Sequence, residues 1–178
     1  MNVTFHTLLG LATAAVLASR QGQPRGLALA TSADLPLLGA GFMIGIAAHG
    51  ALDFAPHSYP IKSAADVLLS LGLFGSALLL TRSRHWLLLV ACFAGCIFPD
   101  VVDLGPAVLN KRLGWSLPVV TAFPWHRRPY SGSIYDGSRS AESLLYHLVV
   151  AGASLGTLYA YGRRIVRGST HSPAEERI

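Results

Sequence analysis

Residues 35–54 read LPLLGAGFMIGIAAHGALDF, a stretch with no basic residue and a single acid, Asp53, near its end. As an α-helix rising 1.5 Å per residue it extends about 30 Å, the thickness of a bilayer's hydrocarbon core. It therefore predicts a membrane-spanning helix. Its last turn is unlike the rest: His49 and Asp53 are four apart, hence on one helix face, and Pro56 bends the chain before His57. Two questions follow, namely how many such spans the chain holds and why this one ends in ionisable groups.

Working outward, four further apolar stretches have spanning length. The first runs from about Val3 to Ser19. Its opening, Met-Asn-Val-Thr-Phe-His, lacks the basic residue of a secretory signal, so a retained span is expected. After the polar segment 20–26 and the 35–54 span, Ser63 with Asp66 resembles a capping box opening a third span, Ala64 to Leu80. Thr81-Arg82-Ser83-Arg84 is a tight basic loop, and a fourth span covers about His85 to Leu104. The connection 105–140 is the one long loop. Its Trp115, Phe123, Trp125, Tyr130 and Tyr135 are aromatic types that favour the membrane–water boundary. Ser140 is placed to cap a fifth span, Ala141 to Tyr161, which Arg163, Arg164 and Arg167 stop, leaving a polar tail over 163–178. The expected fold is all-α: one polytopic membrane domain over residues 1–178, with about five spans and a long loop between the fourth and fifth.

Composition agrees. Hydrophobic residues make up 52% and charged ones 13%, about half the charged share of a soluble domain, and the charge lies between the apolar stretches. The net charge of +5 reads as anchors facing anionic headgroups; no basic stripe with interleaved aromatics supports nucleic-acid binding. Cys92 and Cys96, four apart in an apolar helix, read as small core residues. Gly41 with Gly45, and Gly152 with Gly156, have the spacing that lets membrane helices approach closely. Arg20, Arg25, Arg82, Arg84, Arg163, Arg164 and Arg167 share one face, against Lys62 in a short loop on the other. Lys111, Arg112, Arg127, Arg128 and Arg139 are confined to the long loop. The first face is accordingly expected to be cytoplasmic, with the N-terminus outside.

Parity then sorts the ionisable residues. Five spans bring the start of the first, the end of the second, the end of the fourth and the start of the fifth to one face. Found there are His6, then His49, Asp53 and His57, then Asp100 and Asp103, then His126 and His147. Such groups are costly at membrane depth unless they pair, bind a cation or line a wet cavity. Imidazole and carboxylate together suit a divalent metal such as zinc, manganese or iron. The competing readings are ordinary ones. His6 alone is a polar residue at a helix start, His147 an interior hydrogen-bonded histidine, and Asp53 or Asp100 a partner for Arg127 or Arg128. Asp34 and Asp66 read as helix-end residues.

Four motifs carry a family resemblance. His6-Thr-Leu-Leu-Gly10 is similar to an early His-x-x-x-Gly, and His49-Gly-Ala-Leu-Asp53-Phe-Ala-Pro-His57 to a His-x-x-x-Asp-x-x-Pro-His. Phe98-Pro99-Asp100-Val-Val-Asp103 resembles a Leu-Pro-Asp segment, and Trp125-His126-Arg127-Arg128 the start of a His-Arg-Gly-x-Thr-His-Ser motif. The group is that of the YdjM-like, LexA-regulated bacterial membrane proteins described as metal-dependent hydrolases. After Arg127 this chain reads Arg-Pro-Tyr-Ser-Gly, so the Thr-His-Ser half is absent, and His147 is the residue left to replace it. The resemblance implies a bacterial inner-membrane hydrolase of a lipid-linked or amphiphilic ester or phosphoester. Its ligands would be His49, Asp53, His57, Asp100 and His126, with Asp103 a further ligand, an orienting group or a catalytic general base. Arg127 and Arg128 would hold an anionic headgroup, and His6 and His147 are secondary candidates. The alternative is a non-catalytic subunit or assembly factor with lipid and other membrane subunits as partners. A transporter fits less well, because its polar groups belong near the midplane.

Overall fold

A computed structural model describes residues 1–20, 35–82, 85–136 and 138–166. Arg25, Asp34, Arg84, Arg167, His171 and the tail beyond 166 lie outside the described residues. The helices are α1 (Val3–Arg20), α2 (Leu35–Phe54), α3 (Ser63–Leu80), α4 (Trp86–Asp103), α5 (Gly105–Leu113) and α6 (Ser140–Tyr161). All but α5 are long and apolar enough to cross a membrane. Among the described residues there is no strand, so the chain is an all-α polytopic membrane protein.

Small residues decide how the spans meet. A Cβ on Gly41 would lie 2.9 Å from Cys92 Sγ, one on Gly45 2.7 Å from the Cys96 nitrogen, and one on Gly95 would run into the Phe42 carbonyl. α2 and α4 thus touch backbone to backbone, with Cys92 and Cys96 as buried free thiols filling the seam. α1 runs through the middle and contacts α2, α3, α4 and α6. Its Leu11, Ala14, Ala15 and Ala18 pack on Leu88, Leu89 and Cys92. Leu68, Leu79, Val101, Leu145 and Leu148 face outward, as lipid-facing side chains do, while Thr7 and Ser70 hydrogen-bond inside at 2.6 Å.

Three expectations need correction. Ser63 and Ser140 do not cap: each is the first residue of its helix, and neither flanking residue makes a side-chain cap bond. Asp66 instead reaches across to the start of α1, accepting from the Val3 nitrogen at 2.8 Å, the Thr4 nitrogen at 2.9 Å and Thr4 Oγ1 at 2.6 Å. It satisfies donors of another helix, because α1 begins at the level where α3 begins. Second, Gly152 and Gly156 are exposed, with nothing within 4 Å of an added Cβ, so only the Gly41–Gly45 pair is a packing seam within the chain. Third, the long connection is not structureless. Gly105-Pro106 opens α5, Lys111 and Arg112 lie in its last turn, and Gly114 at φ 69° ends it in the left-handed conformation.

The rest of that connection returns to α2. The Gly132 nitrogen donates to the Asp53 carbonyl at 2.8 Å, His57 to Gly132 at 2.9 Å, and Ile134 to His57 at 2.7 Å. A Cβ at Gly132 would collide with the Ala55 carbonyl, so this docking requires glycine. With the loop pinned at 132–134 and by Asp103 at 122–123, the 3₁₀ turn Pro124–His126 is held over the ends of α2 and α4.

Candidate metal centre

Two histidines enter the site with their ring orientation fixed from behind. His49 Nδ1 lies 2.6 Å from the Cys96 carbonyl oxygen, which can only accept. His126 Nδ1 lies 2.8 Å from Asp103 Oδ2. Each Nδ1 therefore carries the hydrogen, and each Nε2, in the neutral ring, presents a lone pair. These Nε2 atoms are 3.2 Å apart. Asp53 Oδ2 stands 3.3 Å from both, and Asp100 Oδ1 stands 3.7 Å from His49 Nε2 and 3.4 Å from His126 Nε2.

Four acceptor atoms thus converge, all within 4.8 Å of one another. Bonds of 2.0–2.2 Å from a metal to imidazole and carboxylate in a tetrahedron imply ligand-to-ligand edges of roughly 3.3–3.6 Å. Five of the six edges, 3.2 to 3.7 Å, lie close to that figure, and the sixth, between the two carboxylates, is within 4.8 Å. The donors present fit a divalent ion.

The electrostatics lead to the same place. Among the described residues no Lys or Arg pairs with Asp53, Asp100 or Asp103; their ionic neighbours are histidines and the Met1 amine. Burial by itself would lower the His126 pKa, but hydrogen bonds to Asp100, Asp53 and Asp103 outweigh it and raise it to about 10. The space between the carboxylates thus favours a positive charge, whether a proton on His126 or a bound ion.

The remaining sequence candidates take distinct places. Asp103 does not face the converging atoms. Its oxygens accept from the Ala122 nitrogen at 2.8 Å, the Phe123 nitrogen at 3.0 Å and His126 Nδ1, so it orients His126. His57 stands apart from the four, its Nε2 3.9 Å from Asp53 Oδ1 and 3.2 Å from both Tyr59 Oη and Ser133 Oγ. Burial, and then the nearby Met1 amine, lower its pKa to about 4. His147 turns back into its own helix, its Nδ1 2.6 Å from the Ser143 carbonyl, and does not replace the missing histidine. His6 does reach the site: its ring stacks on that of His49 at 3.9 Å, and its Nε2 lies 3.2 Å from Asp53 Oδ1. Arg127 and Arg128 are exposed, and Arg127 donates to the Thr121 carbonyl. Sequence reasoning placed Trp125 at the membrane boundary and beside His126; the structure adds that its ring covers Gly50 on α2 and packs beside His49.

Fold and site together define the class: an all-α membrane protein with a buried His/Asp cluster able to hold a metal ion at one end of its helices. In comparisons with known proteins, no family model, curated protein or solved structure matches the chain.

Proposed function

We propose that the chain is a membrane-embedded, metal-dependent hydrolase acting on a lipid-linked or amphiphilic ester or phosphoester. The ligands are His49, Asp53, Asp100 and His126, and the two imidazole and two carboxylate donors at tetrahedral spacing favour zinc. The observation that carries the reading is the convergence of four possible ligand atoms with no Lys or Arg, among the described residues, paired to their carboxylates. A bound divalent ion supplies Lewis-acid activation of water and of the scissile carbonyl or phosphoryl oxygen.

The chain's own groups do the rest. The Asp100 side chain is 19% exposed against 7% for Asp53, so the site opens on its side. Asp100 is thus the ligand whose place a water can take, and when off the ion it is the carboxylate placed to accept that water's proton. Asp103 and the Cys96 carbonyl hold the two imidazoles in one tautomer. Arg127 and Arg128, exposed next to His126, suit an anionic headgroup at the membrane boundary. The resemblance to the YdjM-like group points to the same class.

The test is metal analysis of purified protein together with turnover of a fluorogenic lipid ester and phosphoester. Wild type is expected to carry divalent metal. His126→Ala should lose it and at least about 10²–10³-fold of any turnover, with its helical circular dichroism unchanged. Protein that purifies metal-free and only with other subunits would instead support a structural subunit.

A further inference from the structure

Asp53 has two oxygens and they face different groups. Oδ2 is shared by His49 and His126, 3.3 Å from each. Oδ1 points the other way, 3.2 Å from His6 Nε2 and 3.9 Å from His57 Nε2. His6 is almost wholly buried, 1% exposed, and neither of its ring nitrogens has a hydrogen bond of acceptable geometry. A buried imidazole whose polar neighbour, Asp53, is poorly aligned costs free energy unless something better placed binds it. His57 is also fully buried. Its Nδ1 lies 2.8 Å from the Ala55 carbonyl, which fixes the hydrogen there and turns the Nε2 lone pair toward the same space. Between Asp53 Oδ1 and His57 Nε2 stands the Met1 amine, in contact with the first and 2.6 Å from the second. A buried amine thus already takes the position between that oxygen and that nitrogen.

We propose that Asp53 is a bridging carboxylate and that a second divalent ion binds on its Oδ1 side, held by His6 and His57 in place of the Met1 amine. This rests on the metal-dependent reading of the first site and deepens it. The two ions share one carboxylate, one on each oxygen, as in paired sites about 3.5–4 Å apart. Such pairs stabilise both the attacking and the leaving oxygen of an in-line displacement at phosphorus. Within the proposed substrate class such a pair favours phosphoesters with an apolar tail. Tyr59 Oη and Ser133 Oγ, each 3.2 Å from His57 Nε2, are hard oxygen donors bordering the second position.

The experiment counts ions on the full chain. Protein purified in detergent is stripped with a chelator and reloaded with Mn²⁺. Bound metal is then measured by elemental analysis and electron paramagnetic resonance. Wild type is expected to bind two ions per chain with a spin-coupled spectrum. His6→Ala and His57→Asn, made separately so that one misfolded variant does not decide the matter, should each bind one, with an uncoupled spectrum. One uncoupled ion in wild type overturns the second position and leaves the first intact. Two ions retained in both variants also overturn it. No ion in wild type overturns the metal-dependent reading itself, and the second position with it.

Discussion

At the scale of single residues the site is governed by which atom of each side chain is already taken. Asp103 sits three residues after Asp100 on the same helix face, which left its role open in sequence between ligand, orienting group and base; its oxygens are used by two loop nitrogens and one imidazole. Its task follows: it keeps the hydrogen on Nδ1 and aims Nε2. Asp103→Asn keeps the shape but removes the charge that holds His126. It is expected to weaken metal binding by about 10–100-fold, read by competition with a chromophoric chelator; unchanged affinity would remove Asp103 from the site's support. Asp103→Glu should recover part of the loss. Asp66 shows the same limit of sequence. Its three-residue offset from Ser63 is that of a capping box, and only the relative level of α1 and α3 shows that it serves Val3 and Thr4. Asp66→Ala removes both a cap and charged hydrogen bonds, so a destabilisation of about 2 kcal/mol is expected. Unfolding in detergent–SDS mixtures would measure it, and a loss below about 0.5 kcal/mol would contradict the assignment.

At the scale of elements, the spans were legible because twenty apolar residues in a row have few other uses, and their ends fall within a residue or two of the hydropathy breaks. The short helix α5 was not, since its nine residues mix apolar and basic types and its stop depends on one left-handed glycine. Glycine spacing was half informative. Gly41 with Gly45 and Gly152 with Gly156 are the same pattern, but the first pair faces α4 at backbone distance, whereas an added Cβ on either of the second meets nothing within 4 Å among the described residues. The two should respond oppositely to an added methyl. Gly45→Ala forces the α2–α4 seam apart and is expected to cost about 1–3 kcal/mol. Gly152→Ala meets nothing and removes backbone freedom, so it should be neutral or stabilise by up to about 1 kcal/mol. Equal effects in the same SDS unfolding assay would show that the seam is misassigned.

At the scale of the whole molecule, parity located the cluster before any geometry was known, because an odd number of spans leaves only certain helix ends on a given side. What parity could not supply was α1's central position. That position brings His6 onto His49 and leaves His147, on the more peripheral α6, turned back to Ser143. Which side of the membrane the cluster faces is an expectation from charge. Arg20, Arg82 and Arg163 close the ends of α1, α3 and α6 opposite the site, whereas the site's face has Lys62 as the basic residue of its short loop. The basic residues of that face otherwise lie in the long connection. By the positive-inside tendency the Arg-rich ends are expected in the cytoplasm and the cluster at the outer face. Two exposed positions report on this. Tyr135, in the loop over the site, is 84% exposed, and Arg163 lies just past the other end of α6. The native thiols, Cys92 and Cys96, are buried and give little background. A membrane-impermeant maleimide added to intact cells is expected to label Tyr135→Cys and not Arg163→Cys, with both labelled after permeabilisation. Labelling of Arg163→Cys alone would invert the orientation and move the substrate to the cytoplasmic leaflet. Labelling of both from outside would break the odd span count, and with it the shared face on which the cluster depends.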